Sequence, residues 1–475
     1  MSLESLYSIH RRGVPRLLLP VMAALLLSPG LIAAQDGEGE AERFRVDGYV
    51  SARVVTRKAE IATETPAREE SDQDLYGQLR LDVTMPREKR YEFHFLGAFR
   101  NDLDGEQDRQ GYYPLEDIGD TGTATHKEYI YEAHLDANYL LAAMPQLRLG
   151  RQAGTRDEPI FFDGVAADLG PGRRFNLTVY GGRAVHFFEL DTPEGDDALW
   201  GAGVDYEVIP PTRLSLDYLS VDDIRDPGND RQDELISLRI AQYLTEHWRL
   251  LVKGRNINGA PRDVRLRSLT AFPAASVDVS VIYFRQMRAQ NELSNETSLY
   301  FDIVGQSEPF QSLDLKVRWQ PGEDYAFDVG TFKRELLEPE TTQGPFNREF
   351  SRSYLVFEVD NLILTGAFLG LTGERWKSDT TEVGTHGFDL GYKYQSGLRK
   401  GRVTLGSYFS LYKYDYYLEL GERTEVRTYY VDVKAPVGDA FLVTANVEQE
   451  EVGGFESLPG SETFTRTTLG VRYDF

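Results

Sequence analysis

Apolar and polar residues alternate over much of this chain. In residues 78–84, 129–139 and 313–319, apolar side chains occupy every second position and mostly polar or charged side chains lie between them. A period of two places successive side chains on opposite faces of a β-strand. Such segments recur from Phe44 to Phe475 without a sustained helical period. The pattern therefore predicts an all-β protein, a transmembrane antiparallel β-barrel.

The connections between these segments fall into two classes. Short turns are predicted at 86–89, 143–145, 170–173, 209–212 and 435–438. Longer polar connections are predicted at 58–73, 103–125, 189–198, 221–231, 335–349, 377–384 and 451–461. Outer-membrane barrels have short periplasmic turns and long external loops, so we expect the second class to lie outside the cell.

The strand count follows from this alternation of connections. About 22 strands are expected, within a range of about 18 to 24, at roughly 20 to 25 residues per strand. Residues 297–334 resist the scheme, because their short connections imply one strand too many for the up-and-down order. The sequence does not show which segment of this region is too short to cross the membrane as a complete strand.

The amino-terminal residues have the features of an export signal. Basic residues precede an apolar run at 17–32, and the small residues Ala33 and Ala34 follow it. This arrangement is typical of a cleaved signal peptide, and the apolar run is shorter than a membrane-spanning helix requires. We predict a signal peptide at 1–34, a short acidic segment at 35–43 and a single barrel domain at 44–475.

The carboxyl-terminal residues form the last predicted strand. Thr467, Leu469, Val471 and Tyr473 share one face with the terminal Phe475. A chain that ends in an aromatic residue on such a strand is typical of outer-membrane barrels. Tyr473 and Phe475 are therefore predicted to act as the membrane assembly signal, recognised by the outer-membrane assembly machinery of a Gram-negative bacterium.

Composition narrows the possible functions. The net charge of −24 argues against nucleic acid as a partner, because phosphate binding needs a basic surface. With no cysteine, the chain has no disulfide, thiolate nucleophile or zinc–thiolate site. We expect no metal site and no cofactor. Membrane lipid and lipopolysaccharide are the expected surroundings.

Charged residues between the apolar positions are expected to line the lumen. If apolar side chains face lipid, a basic sector forms on neighbouring strands from Arg239, Arg249, Lys253, Arg255, Arg265, Arg267, Lys316 and Arg318. Carboxylates are expected on the lumen face at Asp82, Glu132, Asp136, Asp278 and Asp314. Opposed acidic and basic walls would create a transverse field in a pore. The alternative is that these charges pair across strands inside a plugged structural or adhesive barrel.

Two further hypotheses concern catalysis and calcium. An outer-membrane lipid-modifying enzyme would need a serine, a histidine and an orienting carboxylate or amide, but the chain has no G-x-S-x-G motif. His134 is interpreted as a polar residue facing the lumen, and we do not expect an enzyme. Residues 102–108 resemble a calcium loop only loosely, since Tyr113 stands where the twelfth-position glutamate would be.

One short motif resembles a known family. Residues 147–152 (LRLGRQ), followed by 161–165 (FFDGV), resemble the "LRLGRQ … FDGV" element of the alginate-export family of outer-membrane barrels. The resemblance covers Arg151, Gln152, Asp163 and Gly164 as motif positions, for which a structural role is expected. It implies passive export of an anionic polysaccharide through an arginine-lined channel. The expected function is thus a passive channel for an anionic polysaccharide or small charged solutes.

Overall fold

The chain forms a closed antiparallel barrel of 22 strands in a computed structural model. The structure describes residues 44–61, 68–85, 90–103, 126–153, 160–172, 174–185, 198–224, 230–288, 308–339, 347–414, 422–453 and 462–475. The predicted fold class and strand number are confirmed. The predicted signal peptide at 1–34 and the acidic segment at 35–43 lie outside the described residues.

Each strand pairs with the next along the chain, and the last pairs with the first. The strands are β1 Arg45–Ile61, β2 Arg68–Thr84, β3 Tyr91–Asp102, β4 His126–Leu141, β5 Met144–Ala153, β6 Phe161–Gly172, β7 Phe175–Val185, β8 Ala198–Ile209, β9 Thr212–Ile224, β10 Asp230–Thr245, β11 Trp248–Ile257, β12 Ala260–Phe272, β13 Val277–Gln286, β14 Phe310–Trp319, β15 Tyr325–Leu336, β16 Phe350–Asp360, β17 Ala367–Ser378, β18 Glu382–Ser396, β19 Arg399–Tyr414, β20 Glu422–Val437, β21 Phe441–Val452 and β22 Glu462–Asp474. A short 3-10 turn, Pro273–Ala275, connects β12 and β13. Among the described residues no helix is long and apolar enough to cross a membrane.

The two ends of the barrel differ in their connections. Both Arg45 and Phe475 lie at the end that carries the short turns, which we call the turn end; the opposite end is the loop end. Several connections at the loop end are shorter than expected. The loop expected at 58–73 is mostly strand, because β1 and β2 stay in register out to Ile61 and Arg68.

The loop end also contains a tight hairpin that the sequence analysis missed. Asn258 and Gly259 connect β11 and β12 with positive φ angles of 50° and 78°. An Asn-Gly pair in this conformation matches the right-handed twist of a two-residue hairpin. The sequence leaves open how many strands lie within residues 297–334. The structure describes two there, β14 and β15, and β14 pairs directly with β13. Residues 289–307 lie outside the described part of the chain.

The barrel closes at the last residue of the chain. The Gly48 amide donates to the Phe475 carbonyl at 3.0 Å, and the Phe475 amide donates to the Gly48 carbonyl at 3.1 Å. The Tyr473 ring packs between Phe441 and Phe475, with centroid distances of 4.8 and 5.9 Å. Phe475 therefore joins β22 to β1 through its backbone and packs with neighbouring rings through its side chain.

Side-chain contacts identify the lumen face. Arg318 on β14 reaches Glu358 on β16 at 2.8 Å, across the intervening β15. Tyr430 on β20 donates a hydrogen bond to Asp389 on β18, again across one strand. Side chains on the concave face of a barrel converge, so the face that carries these charged groups is the lumen face.

The opposite, convex face is apolar. Leu238 is 46% exposed, Val329 53%, Leu355 51% and Leu469 57%, and each alternates with lumen-facing residues on its strand. A band of exposed aliphatic side chains around a closed barrel fits contact with lipid.

Among the described residues two apolar clusters lie on the lumen face and contradict the assumption that apolar positions face lipid. One joins Ala59, Val426, Val452 and Phe464 across β1 and β20 to β22. The other lies at the loop end of β6 to β11, where Phe162, Leu199, Leu219 and Ile257 are all at most 4% exposed. Leu219 and Leu235 are register partners. Each lies two residues from the lumen-facing pair Asp217 and Ser237 on its strand, so both leucines also face the lumen. The lumen face is therefore apolar and tightly packed in this region.

We expect removal of Phe475 to destabilise the closed barrel. The shortened chain loses both hydrogen bonds to Gly48, each contributing on the order of 1 kcal/mol in water and more in lipid. Urea unfolding in detergent micelles, followed by the heat-dependent shift of folded barrels on gels, should show a loss of roughly 2 kcal/mol.

The matched control is Phe475→Ala, which keeps both backbone groups and removes only the ring. It should lose less stability than the deletion. If the deletion unfolds at the same urea concentration as the unchanged chain, the terminal residue does not contribute to barrel closure.

Candidate functional site

A row of cationic residues crosses three neighbouring strands on the lumen face. Arg239 on β10 is the register partner of Lys253 on β11, which is the partner of Arg265 on β12. Adjacent strands lie about 4.8 Å apart, so these side chains form a short transverse track. Together with the other five expected basic residues, on β11, β12 and β14, this row makes up what we call the basic sector.

The other expected basic residues share this face. Arg249 lies four residues before Lys253 and Arg255 lies two residues after it, so both share its face of β11, and Arg267 on β12 pairs with the lumen-facing Leu251. Lys316 and Arg318 on β14 pair with Ser280 and Asp278 on β13. The register thus brings all eight expected basic residues to the lumen side of β10 to β14. Their role in a solute path stays a prediction.

Several of these cations are neutralised by carboxylates. Arg255 binds Asp263 at 2.7 Å, and Asp263 is 3% exposed. Lys316 and Arg318 both bind Asp328 at 2.9 Å. Cross-strand pairs of this kind hold the wall together and leave little net charge for a solute.

Three arginines of the sector are different. Arg249, Arg265 and Arg267 are exposed, and within the part of the chain that the structure describes no carboxylate lies within 4.0 Å of them. Arg249 lies over the Tyr243 ring at 5.4 Å and Arg265 over the Phe284 ring at 5.3 Å. A ring face positions a guanidinium without cancelling its charge. These three groups can therefore interact with an anion.

A cavity of about 390 Å³ continues the basic sector toward the turn end. Arg249, Lys316 and Arg318 line it together with Tyr243 and Asp278. The cavity is large enough for a small solute. Its cationic groups come from β11 and β14, and Asp278 on β13 supplies a carboxylate between them.

The expected acidic residues divide into two groups. Asp82, Glu132 and Asp136 lie on β2 and β4, where Asp82 binds Arg80 at 2.8 Å and Asp136 binds Arg148 at 2.7 Å. Counted around the ring of 22 strands, β3 and β14 are half the circumference apart. This acidic wall therefore lies opposite part of the basic sector.

Asp278 and Asp314 lie elsewhere. Asp278 pairs in register with Arg318, and Asp314 pairs with Ile282 on β13 and Phe332 on β15. Both residues therefore lie inside the basic sector and reduce its net charge there.

The motif residues of β5 and β6 make structural contacts. Arg151 forms an ion pair of 2.7 Å with Asp163 on the convex face, near the loop end. Gln152 points the other way, is 1% exposed, and donates to the carbonyl oxygens of Gly150 and Gly164 at 3.3 Å. A Cβ on Gly164 would lie 2.2 Å from the Gly181 carbonyl oxygen. The motif thus joins β5 to β6, and Gly164 lets β7 approach β6 closely.

A cluster of histidines and carboxylates was missed by the sequence analysis. His94 on β3 and His134 on β4 are register partners whose rings stack at 4.9 Å, and Asp136 lies beside them. They are far apart in sequence, and only the strand pairing brings them together. His134 is buried in the lumen wall, at 5% exposure.

Comparisons with known proteins give likenesses to solved structures only. No family model matches the chain, and no curated protein matches it. Pseudomonas aeruginosa OpdK with vanillate is 11% identical, with a TM-score of 0.40 over 90% of this chain and 98% of that chain. Acinetobacter baumannii OccAB2 is 11% identical, with a TM-score of 0.43 over 92% and 100%.

The translocation pore of the P pilus usher PapC is 9% identical, with a TM-score of 0.46 over 89% of this chain and 99% of that chain. At these identities and TM-scores the likeness carries no inference about what this chain does. None of the three is described as an alginate exporter.

We expect Gly164→Ala to destabilise the barrel. The added methyl group would overlap a backbone carbonyl oxygen that belongs to the sheet, so β6 and β7 would have to move apart. Overpacking of this kind costs about 1 to 3 kcal/mol. Urea unfolding of the refolded protein measures the loss.

Gly373→Ala in β17 is the matched control, because nothing lies within 4 Å of a Cβ built there. It should unfold within about 0.5 kcal/mol of the unchanged chain. Equal stability of the two variants would show that β6 and β7 can separate at no cost.

Proposed function

We propose that this protein is a passive channel of the bacterial outer membrane that prefers anionic solutes. The observation that supports it is the set of exposed arginines, Arg249, Arg265 and Arg267, on the lumen face of a closed barrel. The closed ring of strands leaves no unpaired sheet edge in lipid, as a membrane-spanning sheet requires. The aliphatic convex face is suited to the same surroundings.

The charge balance of the lumen favours anions locally. Within the basic sector, Asp263 pairs with Arg255, and Asp328 and Glu358 together pair with Lys316 and Arg318. Asp278 and Asp314 lower the net charge of the sector further, but the three exposed arginines have no carboxylate within 4.0 Å among the described residues, so the sector stays positive around them. A cluster of like charge in a confined, low-dielectric passage raises the local concentration of counter-ions. Small organic anions are the solutes that the cavity beside Arg249 could admit.

We further propose that the transported solute is an anionic polysaccharide. This proposal is supported by the transverse row Arg239, Lys253 and Arg265 and by the motif resemblance at 147–152 and 161–165. A polymer with one carboxylate per sugar could engage several of these cations at once. Lipopolysaccharide and the outer-membrane assembly machinery are further proposed partners.

Reversal of the three exposed arginines should change ion selectivity. Refolded protein in planar bilayers is expected to give discrete conductance steps, with a reversal potential that indicates anion preference in a KCl gradient. Arg249→Glu, Arg265→Glu and Arg267→Glu together should shift that preference several-fold toward cations, because six units of charge change inside the lumen.

The control for a single charge reversal compares Arg267→Glu with Arg183→Glu. Arg183 is exposed on the convex face, where it pairs with Asp163 in register. Only the Arg267 variant should move the reversal potential. A barrel without conductance steps would favour the plugged alternative, and an unchanged reversal potential in the triple variant would refute the proposed path.

Short oligouronates distinguish the two classes of cargo. If the polysaccharide proposal is correct, they should cause transient current blockades, which Lys253→Gln with Arg265→Gln should shorten. Neutral oligosaccharides of the same length are the control. Blockades by small carboxylates alone would retain the anion channel and reject the polymer.

A further inference from the structure

The lumen wall at the turn end of β3 and β4 contains two facing histidines. His94 and His134 are register partners, and their rings stack at 4.9 Å with an angle of 28° between the planes. Glu92 and Asp136, the next residues on the same face, are also register partners. Two imidazoles and two carboxylates thus project from adjacent strands into one small region.

Hydrogen bonds fix the orientation of both rings. The His134 Nδ1 lies 3.2 Å from the Arg151 carbonyl oxygen, which can only accept, so Nδ1 carries the proton. The His94 Nδ1 lies 2.6 Å from the Asp82 carboxylate and donates to it in the same way. In the neutral rings both Nε2 atoms therefore keep a free lone pair. Histidine ligands of metal ions are usually oriented by this kind of second hydrogen bond.

The two Nε2 atoms converge on Asp136. The His94 Nε2 is 3.8 Å from Asp136 Oδ2, and the His134 Nε2 is 3.8 Å from Asp136 Oδ1. The Glu92 Oε2 lies 3.7 Å from the His94 Nε2. These separations are too long for hydrogen bonds. Two ligands of one tetrahedral zinc ion lie about 3.4 Å apart, so small side-chain shifts would close the site.

Asp136 has one lone pair left to offer. Arg148 donates to Oδ1 at 2.7 Å and to Oδ2 at 2.9 Å, and Gln146 donates to Oδ2 at 2.7 Å. A carboxylate has about four acceptor positions, so one remains on Oδ1, the atom that faces His134. Arg148 and Gln146 hold this carboxylate in place.

The local charge also favours a cation. The carboxylates of Asp82, Glu92 and Asp136 outnumber the guanidinium groups of Arg80 and Arg148 on this face. Access comes from the lumen, because the side chains of His94 and Glu92 are 21% and 31% exposed. The Asp136 side chain is 3% exposed, which limits competition from water.

We propose that His94, His134, Asp136 and Glu92 bind a divalent transition-metal ion, Zn²⁺ in the first place, on the lumen wall of the barrel. Two imidazole nitrogens and two carboxylate oxygens form a donor set that suits zinc, and copper and nickel are the expected competitors. The ion would connect β3 to β4 near the turn end. The site lies on the wall opposite the basic sector and does not depend on the proposed channel function.

Metal binding tests this directly. Tag-free refolded protein, treated with EDTA and dialysed against Zn²⁺, should retain one zinc per chain by elemental mass spectrometry. His94→Gln and His134→Gln should each bind zinc more than about ten-fold more weakly. In the Cu²⁺-loaded protein, electron paramagnetic resonance should show coupling to two imidazole nitrogens, and to only one in either variant.

His247→Gln is the matched control, because His247 is exposed in the turn between β10 and β11. It should bind zinc as the unchanged chain does. If His134→Gln does not refold, His94→Gln and its copper spectrum decide the question. An unchanged chain that retains no stoichiometric zinc, or histidine variants that bind as tightly as the control, would overturn the proposal.

Discussion

The whole structure depends on pairing every backbone amide and carbonyl of the sheet without an open edge. Lipid offers no hydrogen bonds, so each unpaired backbone amide or carbonyl of an edge strand in lipid would cost roughly several kcal/mol. The chain meets this constraint by joining β22 to β1 at its final residue, through Gly48 and Phe475. Closure in turn fixes two faces for every strand. All later properties of the molecule follow from how side chains are divided between those faces.

The division between faces was largely predictable. Alternation of polarity indicates strands, and the register confirms the strand number and the antiparallel order. The cluster around Phe162 and Leu199 shows where that reasoning fails. Alternation records whether a position is apolar, but lipid and a dry protein interior favour the same side chains. A sequence pattern alone therefore does not separate them.

The sequence predicts which charged residues belong to the candidate sites, but it does not predict which of them pair with one another. In the sequence, Lys316, Arg318 and Arg267 all count equally as basic lumen residues. In the structure, only Lys316 and Arg318 share the Asp328 carboxylate. Which cations remain available depends on the register between strands. The His94 and His134 pair depends on it even more strongly, because a register shift at Leu96 and Gly97 decides which residues of β3 and β4 oppose each other. A one-residue slip would send one ring to the convex face of the barrel.

A net charge of −24 does not prevent a preference for anions. At physiological ionic strength charges are screened over about 8 Å, so carboxylates beyond that distance contribute little to the potential inside the lumen. Arg265 and Arg267 lie two residues apart on β12, and strand neighbours lie about 4.8 Å away, so in the proposed channel these groups would act within one screening length of a solute beside them. The carboxylates that do lie nearby are mostly bound, as Asp263 is to Arg255. The potential that a solute meets is therefore set by the few charges that remain unpaired on the wall beside it, and the total charge of the chain has little influence there.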